Sequence, residues 1–240
     1  VPHPLRDCIY EENLSCYLSG HSRWRDALRL KRQLKRAGIR SVVINVHHFA
    51  DSIIEYVRDQ DSFGMEVNIS DEREELLETG GGILHARPFL EGEPFLVHNV
   101  DILSDLDLRS FSSVHRPGAL ATLLVSERET RRYLLFDDDM RLVGWTNIAT
   151  GEVRSPYPGL DLSSCRRYAF SGIHLVSGEI FKVFDSDGWS GCFPIMDFYL
   201  SVCGRHPIYG ARARDLHLVD VGKVEALPEA EHFLEKYQPF

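Results

Sequence analysis

The chain has 240 residues, of which 43% are hydrophobic and 26% are charged, a composition that suits one soluble α/β domain with a substantial core. Its formal net charge of -9 excludes a nucleic-acid binder that works by neutralising phosphates. No apolar run reaches the length of a membrane span, and the five cysteines are scattered without ligand-like spacing, so we expect a cytoplasmic protein with reduced thiols.

Strands and helices alternate through the first half of the chain. After residues 1–20, which show no clear period, the pattern predicts a helix over residues 23–37 that ends at a glycine cap, Gly38. Its many basic residues are interpreted as a solvated face, with phosphate binding as the alternative. The next predictions are a buried strand in IRSVVINV, a helix in HHFADSIIEYVRDQ, a strand in FGMEVNIS, and a helix over residues 83–89.

The second half continues the same alternation. It predicts strands in EPFLVHNVDIL, ALATLLVSE, RRYAFSGIHLVS, HPIYGARA and DLHLVDVG, a hairpin in RYLLFDDDMRLVGWTN turning at residues 137–140, and helices in GEIFKVF, FPIMDFYLSVCGRH and VEALPEAEHFLEKY. Such alternation is typical of a mostly parallel sheet covered by helices on both faces. We therefore predict a single domain over residues 1–240, with residues 1–25 atypical.

Three consecutive glycines interrupt this pattern at LETGGGIL, directly before the predicted helix over residues 83–89. Glycine loses more backbone freedom on folding than any other residue, so such a run is costly to order. We interpret it as a loop, and two reasons for it stay open: a tight turn, or a ligand that approaches the backbone closely. Of the three acids that precede it, Glu72, Glu74 and Glu75, we expect exposure to solvent, although one could orient the loop.

Two aspartates follow predicted strands, Asp101 after PFLVHNV and Asp220 after LHLV. Ligands of open parallel sheets bind beyond the carboxyl ends of the strands. A carboxylate there can hold Mg²⁺, which keeps waters and substrate phosphates as its other ligands. The alternative is that each aspartate caps the turn that follows it. The adjacent His47 and His48 are not interpreted as a metal pair, because their side chains point in different directions.

Five segments of the chain, in this order, resemble the sugar-1-phosphate nucleotidyltransferases, in particular the bacterial mannose-1-phosphate guanylyltransferases and N-acetylmuramate-1-phosphate uridylyltransferases. They are INVHHFADSI, ISDEREELLETGGGI, PFLVHNVDIL, AFSGIHL and VDVGKVEAL. The resemblance extends from about residue 27 to the end of the chain. It implies a three-layer αβα sandwich around a mixed, mainly parallel sheet, and transfer of a nucleotidyl group from an NTP, either UTP or GTP, to a sugar 1-phosphate with release of pyrophosphate.

The resemblance also assigns site residues. It implies that Thr79, Gly80, Gly81 and Gly82 bind the nucleobase through side-chain-free backbone, and that Asp101 and Asp220 bind Mg²⁺. By the same resemblance Gly172, in AFSGIHL, lies where backbone approaches the sugar, and Asn147 lies where the family contacts sugar hydroxyls.

One part of the family pattern is missing from this sequence. The glycine-rich GxGTRxxPLT segment and the later PK motif, whose arginine and lysine stabilise developing phosphate charge, do not occur in it. We therefore expect impaired transfer, through truncation, a frame error or divergence. Two other functions stay open: an inactive module that binds a nucleotide or nucleotide sugar, and, third, a nucleotide-sugar-dependent glycosyltransferase. Such enzymes hold their metal with a D-x-D pair at a strand end, and the D-x-D pairs at residues 105–107 and 185–187 stand in less suitable places.

Overall fold

The computed structural model describes residues 7–11, 34–99, 101–213, 216–221 and 226–236. Most of the helix predicted over residues 23–37 lies outside this part, as do residues 1–6 and four residues of VDVGKVEAL. Residues 34–37 are helical. Gly38 follows with a φ of 86° and donates from its amide to the carbonyl of Lys35. The predicted glycine cap is thus confirmed.

Twelve strands are present in the described residues. They are β1 Asp7–Glu11, β2 Ser41–Val46, β3 Glu66–Asp71, β4 Phe95–Asn99, β5 Ile102–Ser104, β6 Ala121–Ser126, β7 Arg132–Phe136, β8 Leu142–Asn147, β9 Glu152–Arg154, β10 Arg166–Val176, β11 Ile208–Arg212 and β12 Leu218–Asp220. Ten of them form one sheet with a continuous path β3-β2-β1-β4-β10-β7-β8-β9, in which β6 pairs with β10 and β11; β5 and β12 form a separate pair.

Besides the helical residues 34–37, the described part of the chain contains the helices α1 Ala50–Asp59, α2 Glu78–His85, α3 Arg87–Leu90, α4 Leu108–Ser113, α5 Ile180–Asp187, α6 Ile195–Val202 and α7 Leu227–Lys236. A short 3₁₀ turn occupies Asp61–Gly64. Within the described ranges, no helix combines the length and the apolar character that a membrane crossing requires.

Alternate residues of the central strands pack into two separate apolar clusters. In β4, Phe95 and Val97 belong to a cluster that also holds side chains of α5 and α6, whereas Leu96 belongs to a second cluster with Leu34 and Phe111. Because successive side chains of a strand point to opposite faces, the two clusters lie on opposite sides of the sheet. The continuous apolar runs of the sequence therefore produce a sheet that is buried on both faces, which agrees with the predicted three-layer sandwich.

The sheet is mixed, as predicted. Strands β3, β2, β1 and β4 are mutually parallel, and so are β6 and β11. Strand β10 runs antiparallel to β4, β6 and β7. The predicted hairpin is confirmed, since the amide of Asp137 donates to the carbonyl of Arg141 at 3.0 Å between β7 and β8. Strand β9 was not predicted, because EVR has no apolar alternation and all three of its residues are exposed.

Two buried histidines, His98 and His174, make the stability of the core depend on pH. His174 is fully buried, and its Nδ1 lies 2.8 Å from the hydroxyl of Tyr199. Burial lowers the pKa of His174 to about 3 and that of His98 to about 4. In the unfolded chain the pKa of a histidine is near 6.5. Below that pH the unfolded state binds protons that the folded state does not bind, so the folded state loses stability.

We expect the free energy of unfolding to fall by roughly 2 kcal/mol for each of these histidines between pH 7 and pH 5. Urea unfolding at several pH values would measure this slope. The variant His174→Gln has no titrating group at this position. The change of its free energy of unfolding with pH should therefore be smaller by the contribution of one histidine, even where its absolute stability differs from that of the wild type. An unchanged slope would contradict the prediction.

Candidate active site

Asp101 and Asp220 come from distant parts of the sequence but lie beside each other. Asp101 follows β4, and the next strand, β5, pairs with β12 so that Ile102 stands opposite Asp220. The amide of Val221 donates to the carbonyl of Asp101 at 2.7 Å, which joins the two aspartate segments directly. One detail of the prediction is corrected: Asp220 ends a strand of the small two-stranded sheet, not a strand of the large parallel sheet.

The electrostatics of this pair favour a bound cation. The Oδ1 atom of Asp101 is buried and has no hydrogen-bond partner in the described part of the chain. Burial raises the pKa of the Asp101 carboxyl, and the neighbouring charge of Asp220 raises it further. A divalent ion would relieve both the desolvation and the repulsion. No cluster of three or more potential metal ligands occurs in these residues, so a cation here would need ligands from water or substrate.

The three glycines are not a loop, and this prediction is wrong. They lie inside α2, which begins at Glu78, and all three are buried. The predicted helix over residues 83–89 is also corrected, because α2 ends at His85 and a separate short helix, α3, carries Pro88 in its first turn. The cost of ordering glycine is offset here by packing, which a tight turn would not provide.

Protein atoms occupy the space in which the glycine side chains would stand. A Cβ at Gly80 would lie 2.3 Å from the Phe193 ring, and a Cβ at Gly81 would lie 2.3 Å from the carbonyl oxygen of Gly191. A Cβ at Gly82 would lie 2.5 Å from the side-chain nitrogen of Asn45. The glycines therefore do allow a close approach, and at these Cβ positions the approaching group is the chain itself.

The first turn of α2 nevertheless leaves two backbone donors for a ligand. The carbonyl of Phe193 accepts from the amides of Gly80 and Gly81, at 2.9 and 3.2 Å. The amides of Glu78 and Thr79 have no acceptor among the described residues, and Thr79 is partly exposed. Of the four residues predicted to bind the base, Thr79 is thus the one whose backbone is accessible, together with Glu78, which the prediction omitted.

Helix α2 and Asp101 lie at the same end of the parallel strands. Tyr10 of β1 pairs with both Ile44 and His98, so the next residues along β2 and β4, Asn45 and Asn99, stand level with each other. They are two strands apart, which corresponds to roughly 10 Å. Because Asn45 packs against α2 and Asn99 precedes Asp101, the helix and the two aspartates flank one end of the parallel strands.

Gly172 lies against Asn99 and Ile102, the residues on either side of the Asp101 position. Ile173 of β10 pairs with His98 of β4, and Gly172 has a φ of 71°, a conformation that glycine adopts at little cost. A Cβ at this position would lie 3.0 Å from Ile102 and 3.4 Å from Asn99. The predicted close approach of backbone is present here, and it brings β10 against the segment that holds Asp101.

Asn147 stands on a different element, at the end of β8. Its Oδ1 accepts from the amide of Ala149 at 3.0 Å, so half of its amide side chain stabilises the local turn. Its cross-strand partner is Arg132 of β7. The structure thus joins the Asp101 and Asp220 segments by a backbone hydrogen bond and brings Gly172 against Ile102 and Asn99, whereas Asn147 and Thr79 lie on separate elements.

Two side chains near α2 were not predicted as part of the site. Asn45 is 4% exposed and its Oδ1 has no hydrogen-bond partner in the described residues. Glu72 is 7% exposed, which contradicts the expectation of solvation, and a Cβ at Gly82 would lie 3.0 Å from its Oε1. Glu74 and Glu75 are exposed as expected. The only sequence signal for Asn45 was an amide within an otherwise apolar strand.

The two D-x-D pairs that a glycosyltransferase could use serve other contacts. Asp107 caps α4 by accepting from the amide of Arg109, and Asp105 pairs with His217. In the second pair, Asp185 forms an ion pair with Arg87, and Asp187 forms one with Arg205. These structural roles favour the Asp101–Asp220 pair as the candidate cation site.

The mixed sheet, covered on both faces, defines an α/β protein with the Rossmann-like fold of the nucleotide-diphospho-sugar transferases. No protein-family profile matches the chain. Over 208 residues it is 27% identical to an N-acetylmuramate α-1-phosphate uridylyltransferase of Caulobacter vibrioides, which covers 83% of this chain and 79% of that protein. Over 75 residues it is 41% identical to the Neisseria meningitidis protein of the same name, covering 31% of this chain and 32% of that one.

Among solved structures, a putative glucose-1-phosphate thymidylyltransferase from Bacillus anthracis superposes with a TM-score of 0.73 at 14% identity, covering 97% of this chain and 96% of that chain. This likeness concerns the fold. Together with the curated relatives, it confirms that the chain resembles sugar-1-phosphate nucleotidyltransferases, as the five sequence segments predicted.

Proposed function

We propose that the chain is a sugar-1-phosphate nucleotidyltransferase, which transfers a nucleotidyl group from an NTP to a sugar 1-phosphate and releases pyrophosphate. The observation that carries this proposal is the contact between the Asp101 and Asp220 segments at the end of the parallel strands, with a buried carboxylate oxygen left unpaired. Both relatives named above are uridylyltransferases, so UTP is the first nucleotide to test, and GTP the second.

Asp101 and Asp220 are the residues that would hold Mg²⁺, and a bound Mg²⁺ would supply charge neutralisation for the phosphates of the NTP. The amides of Glu78 and Thr79, at the N-terminus of α2, would donate to carbonyl oxygens on the edge of the base. The backbone at Gly172 would form the wall against which the sugar is oriented. In this arrangement the chain acts by positioning two anionic substrates for in-line attack, without a covalent intermediate.

A second candidate is a module that binds the nucleotide or nucleotide sugar without transfer. It is favoured by one observation, the absence from this sequence of the arginine and lysine that the family uses on the transferred phosphates. Loss of a single preorganised donor costs about 10²–10³ in rate, so a polypeptide with only the residues of this sequence would transfer slowly.

The two candidates are separated by measuring pyrophosphate release with UTP and GTP against several sugar 1-phosphates in the presence of Mg²⁺. Metal-dependent release that requires both substrates supports the transferase. Nucleotide binding by calorimetry without any release of pyrophosphate supports the binding module and contradicts the transferase. The absence of both nucleotide binding and pyrophosphate release contradicts both candidates.

A further inference from the structure

One buried polar side chain of the central strand β4 has no role in the site described so far. The strand reads FLVHN, and His98 interrupts its apolar run. The residue is only 3% exposed. Because alternate side chains of a strand share a face, His98 lies on the same side of the sheet as Leu96, which belongs to an apolar cluster. Burial of an imidazole on such a face costs free energy unless a hydrogen bond offsets the cost.

His98 forms its hydrogen bond with the backbone at the end of β4. The Nδ1 atom lies 2.7 Å from the carbonyl oxygen of Asn99. A carbonyl oxygen can only accept, so Nδ1 carries the proton and donates it into this bond. Burial lowers the pKa of His98 to about 4, so the ring is neutral at pH 7. The imidazole is therefore held in one tautomer and one orientation.

The bond lies where the pairing of β4 with β10 ends. The last pair of that antiparallel register joins His98 to Ile173, one residue before Asn99. Asn99 is the final residue of β4, and Asp101 follows it by two positions. On its other side the Asn99 side chain is confined by Gly172, where an added Cβ would lie 3.4 Å away. A side-chain donor thus holds the last carbonyl of the strand, directly before the segment that presents the Asp101 carboxylate.

We propose that His98 is a positioning residue of the cation site: its hydrogen bond to the Asn99 carbonyl fixes the backbone from which Asp101 reaches a divalent cation. This inference rests on the proposed function. The Oδ1 atom of Asp101 has no hydrogen-bond partner in the described residues, so the orientation of this carboxylate depends on its backbone. Mg²⁺ demands a near-ideal octahedral geometry, and groups that orient its ligands therefore contribute to its affinity.

The test compares three substitutions of His98 that differ in where they place a donor. Asparagine keeps an N–H donor near the position of Nδ1, glutamine places one near the position of Nε2, and leucine has none. Binding of Mn²⁺ alone, which prefers the same oxygen ligands as Mg²⁺, is measured from the electron paramagnetic resonance of the free ion. Pyrophosphate release gives the Mg²⁺ concentration for half-maximal rate, and kcat at saturating Mg²⁺.

The matched control is His174→Leu. His174 is also buried, and it lies on the neighbouring strand β10 opposite Val97. Its Nδ1 lies 2.8 Å from the hydroxyl of Tyr199, so its hydrogen bond does not involve the backbone beside Asp101. Circular dichroism and melting curves show whether each variant is folded at the assay temperature.

We expect His98→Leu and His98→Gln to weaken Mn²⁺ binding about tenfold and to raise the Mg²⁺ concentration for half-maximal rate by a similar factor. At saturating Mg²⁺ the kcat of both variants should return to within about twofold of the wild type, since the carboxylate itself is retained. His98→Asn should recover most of the affinity, and His174→Leu should bind Mn²⁺ like the wild type even where it is less stable.

Wild-type Mn²⁺ affinity in His98→Leu and His98→Gln overturns the inference, and the proposed function stands if the wild type releases pyrophosphate. An equal loss in all three His98 variants also overturns the inference, because the position of the donor would then not matter. Should the wild type release pyrophosphate without binding Mn²⁺ alone, the Mg²⁺ concentration for half-maximal rate decides by the same comparison. A wild type that neither binds Mn²⁺ nor releases pyrophosphate overturns the inference and the proposed function together. If His98→Leu does not fold, the comparison of His98→Gln with His98→Asn decides.

Discussion

Replacing Asp101 by asparagine is expected to lower turnover at least about 100-fold while making the cation-free protein more stable at neutral pH. The side chain is half-buried, its Oδ1 is buried and lacks a partner in the described residues, and its pKa is raised by burial and by Asp220. A raised pKa means that the ionised form is disfavoured in the folded state, so removal of the charge relieves that cost above the pKa. Loss of a charged ligand, by contrast, removes the means of holding Mg²⁺.

Opposite changes in activity and stability distinguish this prediction from a general loss of structure. Thermal melting with and without Mg²⁺ should show stabilisation of the wild type by the ion and a much smaller effect on Asp101→Asn. Asp138→Asn is the control, because the Asp138 side chain is 90% exposed and this substitution removes one negative charge at a position away from the site. A destabilised Asp101→Asn variant that still responds to Mg²⁺ like the wild type would contradict the assignment of Asp101 as a cation ligand.

Replacing Gly81 by alanine is expected to destabilise the protein by about 2 kcal/mol or more, although alanine is the better helix former. The intrinsic preference for alanine in a helix amounts to only about 1 kcal/mol. The new Cβ would lie 2.3 Å from the carbonyl oxygen of Gly191 and 3.0 Å from Leu77 Cβ, so backbone has to move. Overpacking of this kind costs about 1–3 kcal/mol and occasionally more, and against a rigid backbone atom the cost exceeds the helix gain.

In a chain of this size a loss of about 2 kcal/mol corresponds to a fall in melting temperature of about 4–8 °C, measurable by calorimetry. Because the same displacement moves Phe193, which accepts from the first turn of α2, binding of the nucleotide should weaken as well. Gly204→Ala is the control, since its Cβ would meet only side-chain atoms of Pro156 at 3.3 Å. A Gly81→Ala protein as stable as wild type would show that the 191–193 segment does not hold the position described.

The outcome at the glycines shows where sequence reasoning was limited. The sequence left two explanations of Gly80–Gly82 open, a tight turn and a close approach to the backbone, and the structure shows the close approach. The identity of the approaching group did not follow from the sequence. Gly191 and Phe193 are more than 100 positions away, and their approach depends on how α6 and the turn before it pack against α2. Glu72 was misjudged for the same reason, since a charged residue in an acidic run gives no local sign of burial.

The sequence by itself determined the order of most strands and helices, the buried character of the central strands and the two aspartates that follow β4 and end β12. These features depend on the period of apolar residues and on local turn chemistry, which act over a few positions along the chain. Only the tertiary structure decided that Asp101 and Asp220 become neighbours, that the glycines are covered by protein, and that Glu72 is buried beside α2. Such contacts arise from pairing between segments far apart in the chain. The local pattern of apolar residues does not show which of the many possible pairings buries the most apolar surface and leaves no buried charge without a partner.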